Sequence, residues 1–170
     1  FTFITFSICY PLRLIYYINS NMQKLTPPAP QDFDWQHLTL PSSPNYFLLI
    51  PSTTINLIKG QLSYIPSRIQ VSPQFNCSID ELQQLCLKHI TNQVRTTIYP
   101  GDNNVQTHYI QRSFLFRFPD IISIKIQAVN RDTTTLFLYS RSVYGYSDFG
   151  VNKRRVKNLM KELNKEVINR

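Results

Sequence analysis

Cysteine, glycine and charge are all scarce in this 170-residue chain. Its three Cys cannot build a disulfide framework, and no Cys/His spacing matches a zinc site. Its four glycines form neither a P-loop nor a G-x-S-x-G elbow. His37, His89 and His108 stand apart, with no second His, Cys or carboxylate at ligand spacing, so neither a metal nor a cofactor is expected. Charged residues make up 16% of the chain, against roughly 25% in an average domain. Eleven Phe, ten Tyr, one Trp and an apolar fraction of 42% accompany them. That composition excludes wholesale disorder and a coiled coil, and it suits one domain with a modest tail. The charge present is lopsided: 18 Lys+Arg against 10 Asp+Glu, a net charge of +8.

The chain divides into three parts. Residues 1–18, FTFITFSICYPLRLIYYI, carry Arg13 as their only charge and Pro11 as their one strong breaker. Eighteen helical residues span about 27 Å, just short of a bilayer core of roughly 30 Å. This stretch is expected to be a membrane anchor or the apolar part of an export signal; because it opens on Phe rather than Met, it is expected to begin inside a longer reading frame. Residues 19–45 are proline-rich and predict a semi-stiff spacer, from which Trp35 and Leu38 could dock on the domain. Residues 46–170 are the expected folded domain.

Within that domain, Tyr46–Ile50 reads as a buried strand and residues 68–71 as a short half-buried one, with irregular chain over 51–67. Ser78-Ile79-Asp80-Glu81 is a capping-box pattern, and the apolar residues behind it recur at helical spacing, predicting a helix over 78–94. Strands follow over 95–99, 105–112, 121–128 and 133–139. Ile122, Ile124 and Ile126 alternate with polar residues, the pattern of a sheet with one wet face. A second helix is predicted over 152–168, with Val156, Leu159, Met160, Leu163 and Val167 on one arc and lysines on the next. Together these predict an α+β fold: an antiparallel sheet of about four to five strands with two helices packed on one face.

Two stretches concentrate chemistry. Between Tyr139 and Asn152, Gly145 and Gly150 bracket Ser147-Asp148 ahead of the last helix. This suits a tight, well-capped connection, with Asn152 the first choice of cap over Ser147 or Asp148. It equally suits a ligand loop in which Arg141, Tyr144 and Tyr146 meet an anionic or polar group. The stretch 111–120 places Phe114, Phe116 and Phe118 at two-residue spacing, as core or as pocket wall. Arg112, Arg117, Asp120 and Arg141 could cluster beside them. Cys86 lies on the apolar helix face; Cys77, nine residues earlier, would be roughly 13 Å away along a helix and too far to bridge. In the last helix Lys153, Arg154 and Arg155 sit in the first turn, where the helix dipole disfavours cations, and Lys157 and Lys161 continue the stripe from Lys153. That row suits a solvated face or an anionic partner; nucleic acid has only net charge in its favour.

Arg117-Phe118-Pro119-Asp120, Ser140-Arg141-Ser142, and Gly145, Tyr146-Ser147-Asp148, Gly150 and Asn152 resemble the domain of unknown function numbered 1499, as does Ser43-Pro44-Asn45 for its opening block. The resemblance covers about residues 41 to 165. It implies relatives in bacteria and photosynthetic eukaryotes, often behind an apolar or targeting segment, and therefore a bacterial envelope or plastid setting. It implies no activity. Many members carry Cys where Tyr46 stands, an acidic residue at Ile121 and Arg at Val143, departures that bear on any polar or thiol-dependent site.

The leading expectation is a non-catalytic, membrane-associated or exported domain binding an apolar or amphipathic small molecule. Phe114, Phe116 and Phe118 would line the site, with Arg112, Arg117, Asp120, Arg141, Tyr144, Tyr146, Ser147 and Asp148 supplying its polar groups. The alternative is an interaction protein docking on an acidic partner or anionic membrane through Lys153, Arg154, Lys157 and Lys161. An enzyme using Asp120 or Asp148 as base beside Arg141 ranks last.

Overall fold

A computed structural model describes residues 27, 29–32, 34–41, 43–59, 67–101, 105–115, 117–145 and 148–169, with side chains withheld at 36, 56–59 and 100. The apolar stretch 1–18 lies outside these residues.

The architecture is α+β, built on one mixed sheet rather than the smaller antiparallel sheet expected. Its strands are β1 (Tyr46–Ile50), β2 (Ile69–Val71), β3 (Gln74–Phe75), β4 (Thr96–Pro100), β5 (Gln106–Arg112), β6 (Pro119–Ala128) and β7 (Thr134–Ser142). They run in the order β2-β1-β7-β6-β5-β4, and β3 pairs with the start of β7, beyond the end of β1. Only β1 and β2 pair in parallel. A parallel neighbour needs a crossover, and α1 (Ser52–Lys59) lies within that connection. This helix, STTINLIK, was not legible in the sequence. It is short and rich in β-branched residues, which form helix poorly alone; burial of Ile55 against Trp35 and the β1 side chains holds it.

The two expected helices, α2 (Ile79–Thr91) and α3 (Val151–Ile168), pack on one sheet face. The Ser78–Glu81 capping box forms reciprocally at the start of α2. Beneath the helices lie Phe47, Leu49, Tyr109, Ile122, Ile124, Leu136 and Leu138, facing Leu82, Leu85 and Ile90 of α2 and Val156, Leu159 and Leu163 of α3. Each such fully buried aliphatic side chain contributes roughly 1.5–3 kcal/mol.

The opposite face is not the wet face that the alternation in β6 predicts. Trp35, in a 3-10 turn at Trp35–His37, stacks on Phe137 with ring centroids 5.0 Å apart. Leu38 and Leu40 pack beside it over Tyr46, Leu48, Ile50 and Tyr139. Residues 34–40 therefore form a strap across this face. Covering both faces also explains why Leu136, Phe137 and Leu138 are all buried in one strand.

Candidate functional site

Three places on the sheet gather chemistry or space. The first lies under the N-terminal turn of α3. Arg155 reaches down from the helix: its Nη2 donates to the Asp120 carboxylate at 2.5 Å, and its Nε donates to Gln111 Oε1 at 2.6 Å. Its Nη1 donates to Ser140 Oγ (2.9 Å) and to Asn152 Oδ1 (2.8 Å). The Ser140 hydroxyl donates to the same Asn152 oxygen at 2.6 Å. Asn152 Nδ2 in turn meets the Asn45 carbonyl, the Ser142 hydroxyl and the Asp148 carboxylate. Asn45 Nδ2 donates to the Gly145 carbonyl at 2.6 Å.

The cap of α3 differs from the sequence expectation. Asn152 turns inward, and the Asp148 carboxylate accepts both the Gly150 and Asn152 amides at 2.9 Å. Gly150, at φ +74, supplies the left-handed step that brings the carboxylate over the turn. A carboxylate cap is worth about 1 kcal/mol, enough to offset the mild cost of Lys153 and Arg154 in the first turn.

The second place lies on the strap face. His108 is fully buried; its Nε2 lies 2.8 Å from Asp32 Oδ1, and its Nδ1 lies 2.8 Å from the Ser123 hydroxyl. Ser123 Oγ also accepts from Arg141 Nη1 at 3.3 Å, and the Arg141 guanidinium lies 4.7 Å over the Tyr139 ring. Burial lowers the Arg141 pKa, opposed by Tyr139, and burial drives the Tyr139 phenol well upward. The order Asp32–His108–Ser123 matches that of a hydrolase triad. Its hydroxyl is fully buried, however, and its carboxylate is the end nearest solvent, the reverse of what attack on a substrate needs. Gly101 allows the approach of Asp32: a Cβ there would collide with the Asp32 carboxylate and the Gln106 carbonyl.

The third place is a cleft of about 430 Å³ between α2 and strands β4–β6. Ile79, Cys86, Leu87 and Ile90 form its helical side, and Ile98, Val105, Ile124 and Ile126 its sheet side. Gln83, Gln106 and Thr107 are its polar groups. The Cys86 thiol is pushed up to about 12 by burial, with Cys77 adding to the shift.

The sequence-derived site does not assemble. Phe114 and Phe118 lie in the β5–β6 loop rather than in core or cleft. Phe114 is 78% exposed with Arg95 over its ring, and Phe118 meets Tyr144 at 6.4 Å. The loop closes through Ser113 N–H on the Phe118 carbonyl, with Arg117 at φ +57, and this takes the Phe run out of the strand pattern. Phe116, Tyr146 and Ser147 lie outside the described residues. Arg112 Nη1 donates to the Arg117 carbonyl. Asp120 and Arg141 cannot meet: Asp120 pairs in register with Ser142, and Arg141 with Ile121, so the two side chains leave opposite faces. Asp120 is bound by Arg155 instead.

Lys153 sits 5.9 Å over the Phe47 ring, and Arg154, Lys157 and Lys161 are exposed along α3. Sequence reasoning missed Asn45, Ser140 and Arg155 as partners, together with Asp32, His108 and Ser123. One signal was available: carrying the apolar arc of α3 back one turn from Val156 and Leu159 places Asn152 and Arg155 on the inner face. The cleft had no signal, because its walls are ordinary aliphatic residues from four elements. Among the described residues, no group of three His, Cys, Asp or Glu could hold a metal ion. Nor is any helix among them long and apolar enough to cross a membrane.

A family model described as a protein of unknown function (DUF1499) matches residues 38–163. The chain belongs to this family. No curated protein matches it. The motif residues that carry the DUF1499 resemblance fall largely in the α3 network: Asp120, Ser140, Ser142, Asp148 and Asn152 bond within it, and Gly145 accepts from Asn45. Tyr46 and Ile121 pair with Arg141 from either side.

Proposed function

We propose that this DUF1499 domain is a non-catalytic binding module that takes an apolar or weakly amphipathic small molecule between α2 and the sheet. The cleft is the observation that carries this reading. Its volume lies within the roughly 300–1,000 Å³ of small-molecule sites, and such sites pair apolar walls with a few polar groups. Gln83, Gln106 and Thr107 then serve the ligand's polar end, in place of Arg141 and Tyr144. Ile79 and Leu87, 40% and 45% exposed, present apolar surface at its rim.

Three features favour binding over catalysis. The Cys86 thiol is held protonated at neutral pH. The Ser123 hydroxyl is out of reach of solvent. Asp120 and Asp148, the two candidate bases, are engaged by Arg155 and by the α3 amides. Tethering at a membrane, or export to an envelope or plastid compartment, belongs to the same proposal and rests on the apolar stretch 1–18.

Native mass spectrometry of the full chain, equilibrated with a whole-cell lipid and metabolite extract, tests the reading. A discrete retained mass is expected, and Leu87→Glu, which puts a charge at the cleft mouth, should abolish it. A bare protein, or an adduct indifferent to that substitution, would sink the proposal.

A further inference from the structure

The end of the sheet away from the Asp32–Gly101 contact carries exposed aromatic residues on two loops. In the β5–β6 loop Phe114 is 78% exposed and Leu115 45%, and the Phe118 ring meets that of Tyr144, each 38% exposed. The β7–α3 loop closes back on the end of β7, where Asn45 bonds the Gly145 carbonyl and the Ser142 amide, and in it Phe149 is 88% exposed. Soluble domains rarely gather large apolar side chains outside in this way, and where they do the patch marks a surface that something else covers.

Two further observations mark the same end. Among the described residues, the non-glycine residues with left-handed backbone are Arg95 (φ +59), Arg117 (φ +57) and Phe149 (φ +50). The Arg95 carbonyl accepts the Arg112 amide at the end of β5, so all three lie here. Such a φ is strained for a bulky residue, and strain of this kind collects where function fixes the aim of a side chain. The second observation is charge. Arg95 lies over the Phe114 ring, Arg117 precedes Phe118, and Arg154 stands exposed in the first turn of α3 shortly after Phe149. Asp120 and Asp148, the acids described on these strands and loops, are turned inward to Arg155 and to the α3 amides. Positive charge therefore predominates around the aromatics.

We propose that this end of the domain seats on an anionic lipid bilayer, with Phe114, Leu115 and Phe149 entering the interface and Arg95, Arg117 and Arg154 held at the headgroups. Aromatic rings favour the headgroup level of a membrane, and anionic lipids attract basic groups beside it. Loop tips can enter such a surface without a matching pocket, which a folded protein partner would have to supply. The contact goes beyond the α2 cleft and beyond the stretch 1–18, because it belongs to the folded domain itself.

The full chain carrying Phe114→Trp, Phe149→Trp or, at the opposite β6–β7 turn, Val129→Trp is mixed with vesicles of phosphatidylcholine and phosphatidylglycerol whose acyl chains are brominated near the headgroup. Trp35, itself buried, gives a common background. Interfacial apolar groups lie about 5–10 Å into the headgroup boundary, so the emission added at 114 and at 149 should fall by about half. Emission added at 129 should not change. Arg117→Glu/Arg154→Glu should bring the quenching down to the level seen on pure phosphatidylcholine.

Equal quenching at 129 would show a domain held without orientation and would overturn the proposal. So would a lack of quenching at 114 and 149, or quenching as strong on pure phosphatidylcholine. A blue shift at 114 and 149 that grows with protein concentration in the absence of vesicles would assign the patch to a second copy of the chain, and it too would overturn the proposal. A small molecule retained in the α2 cleft leaves each of these readouts unchanged, so the two proposals fail separately.

Discussion

Strands β5 and β6 carry two very different sites on their helix-covered face. At one end, Gln111 and Asp120 join the network under α3, where charged and amide groups are packed tightly and bonded to one another. At the other end, Thr107, Ile124 and Ile126 face the open cleft beneath α2, where the lining is aliphatic. The end that looks chemical is bonded largely to itself, and the end with room looks bland. Residue types that suggest catalysis in a sequence can equally be what a helix needs to seat its first turn on a sheet. Burying a charge is costly unless it is paired and hydrogen-bonded, so these residues come as a set.

The largest effect should come from breaking the crowded end. Arg155→Met strands the buried Asp120 carboxylate, and loss of one partner from such a pair costs about 3–5 kcal/mol. Urea unfolding should show a lowered midpoint with an unchanged slope. A loss under 1 kcal/mol would mean that solvent reaches Asp120 and that the network is looser than its geometry.

The next largest concerns the open end. With its thiol held near 12, Cys86 should react with iodoacetamide at pH 8 at least about a hundredfold more slowly than an unhindered cysteine. Occupancy of the cleft should slow it further. The raised pKa also has a stability consequence. Its contribution is complete below the ordinary value of 9.0 and is lost as pH climbs through about 12. Rapid alkylation of the folded protein would show that the cleft wall opens readily.

Asp32→Ala sharpens the contrast with the strap face. It leaves the buried His108 without its carboxylate and should cost about 1–3 kcal/mol. Hydrogen exchange should then rise first in residues 34–41, while the amides of α2 and α3 stay protected. Uniform loosening of the whole sheet would contradict a strap that is latched locally.

The smallest effect is at Glu166, whose pKa is lowered chiefly by its hydrogen bond from Lys88 at the α2–α3 seam. A lowered carboxylate stabilises above its ordinary value of 4.5 and loses that contribution as pH falls through the folded value. The pair is solvent-exposed, so salt screens it. Glu166→Gln should produce a shift in melting temperature barely above scatter at neutral pH, vanishing once the pH has fallen through the folded value. A large shift would reveal a buried seam.

Much of the fold was legible. Tyr46–Ile50 appears with the strand bounds read from the sequence, Ile69–Val71 falls within the expected 68–71, and the Ser78 capping box and the apolar arc of α3 place both long helices within a few residues. Such features rest on neighbours within one turn or one pleat. The expected site fared differently: Asp120 and Arg141 looked like partners until register put them on opposite faces. The Phe114–Phe118 spacing read as core or pocket wall, but the chain turns through Arg117 and leaves Phe114 exposed.

Sequence alone thus determined the α+β class, the family, the two long helices, and a basic row along the last one. These follow from periodicity, capping chemistry and motif, all local in the chain. Tertiary structure decided the seventh strand, the parallel β1–β2 edge, the strap, and which polar residues are bonded into the core. It also decided where space remains. A cleft is bounded by side chains from distant elements, and its volume is what their packing leaves over, so no local pattern encodes it.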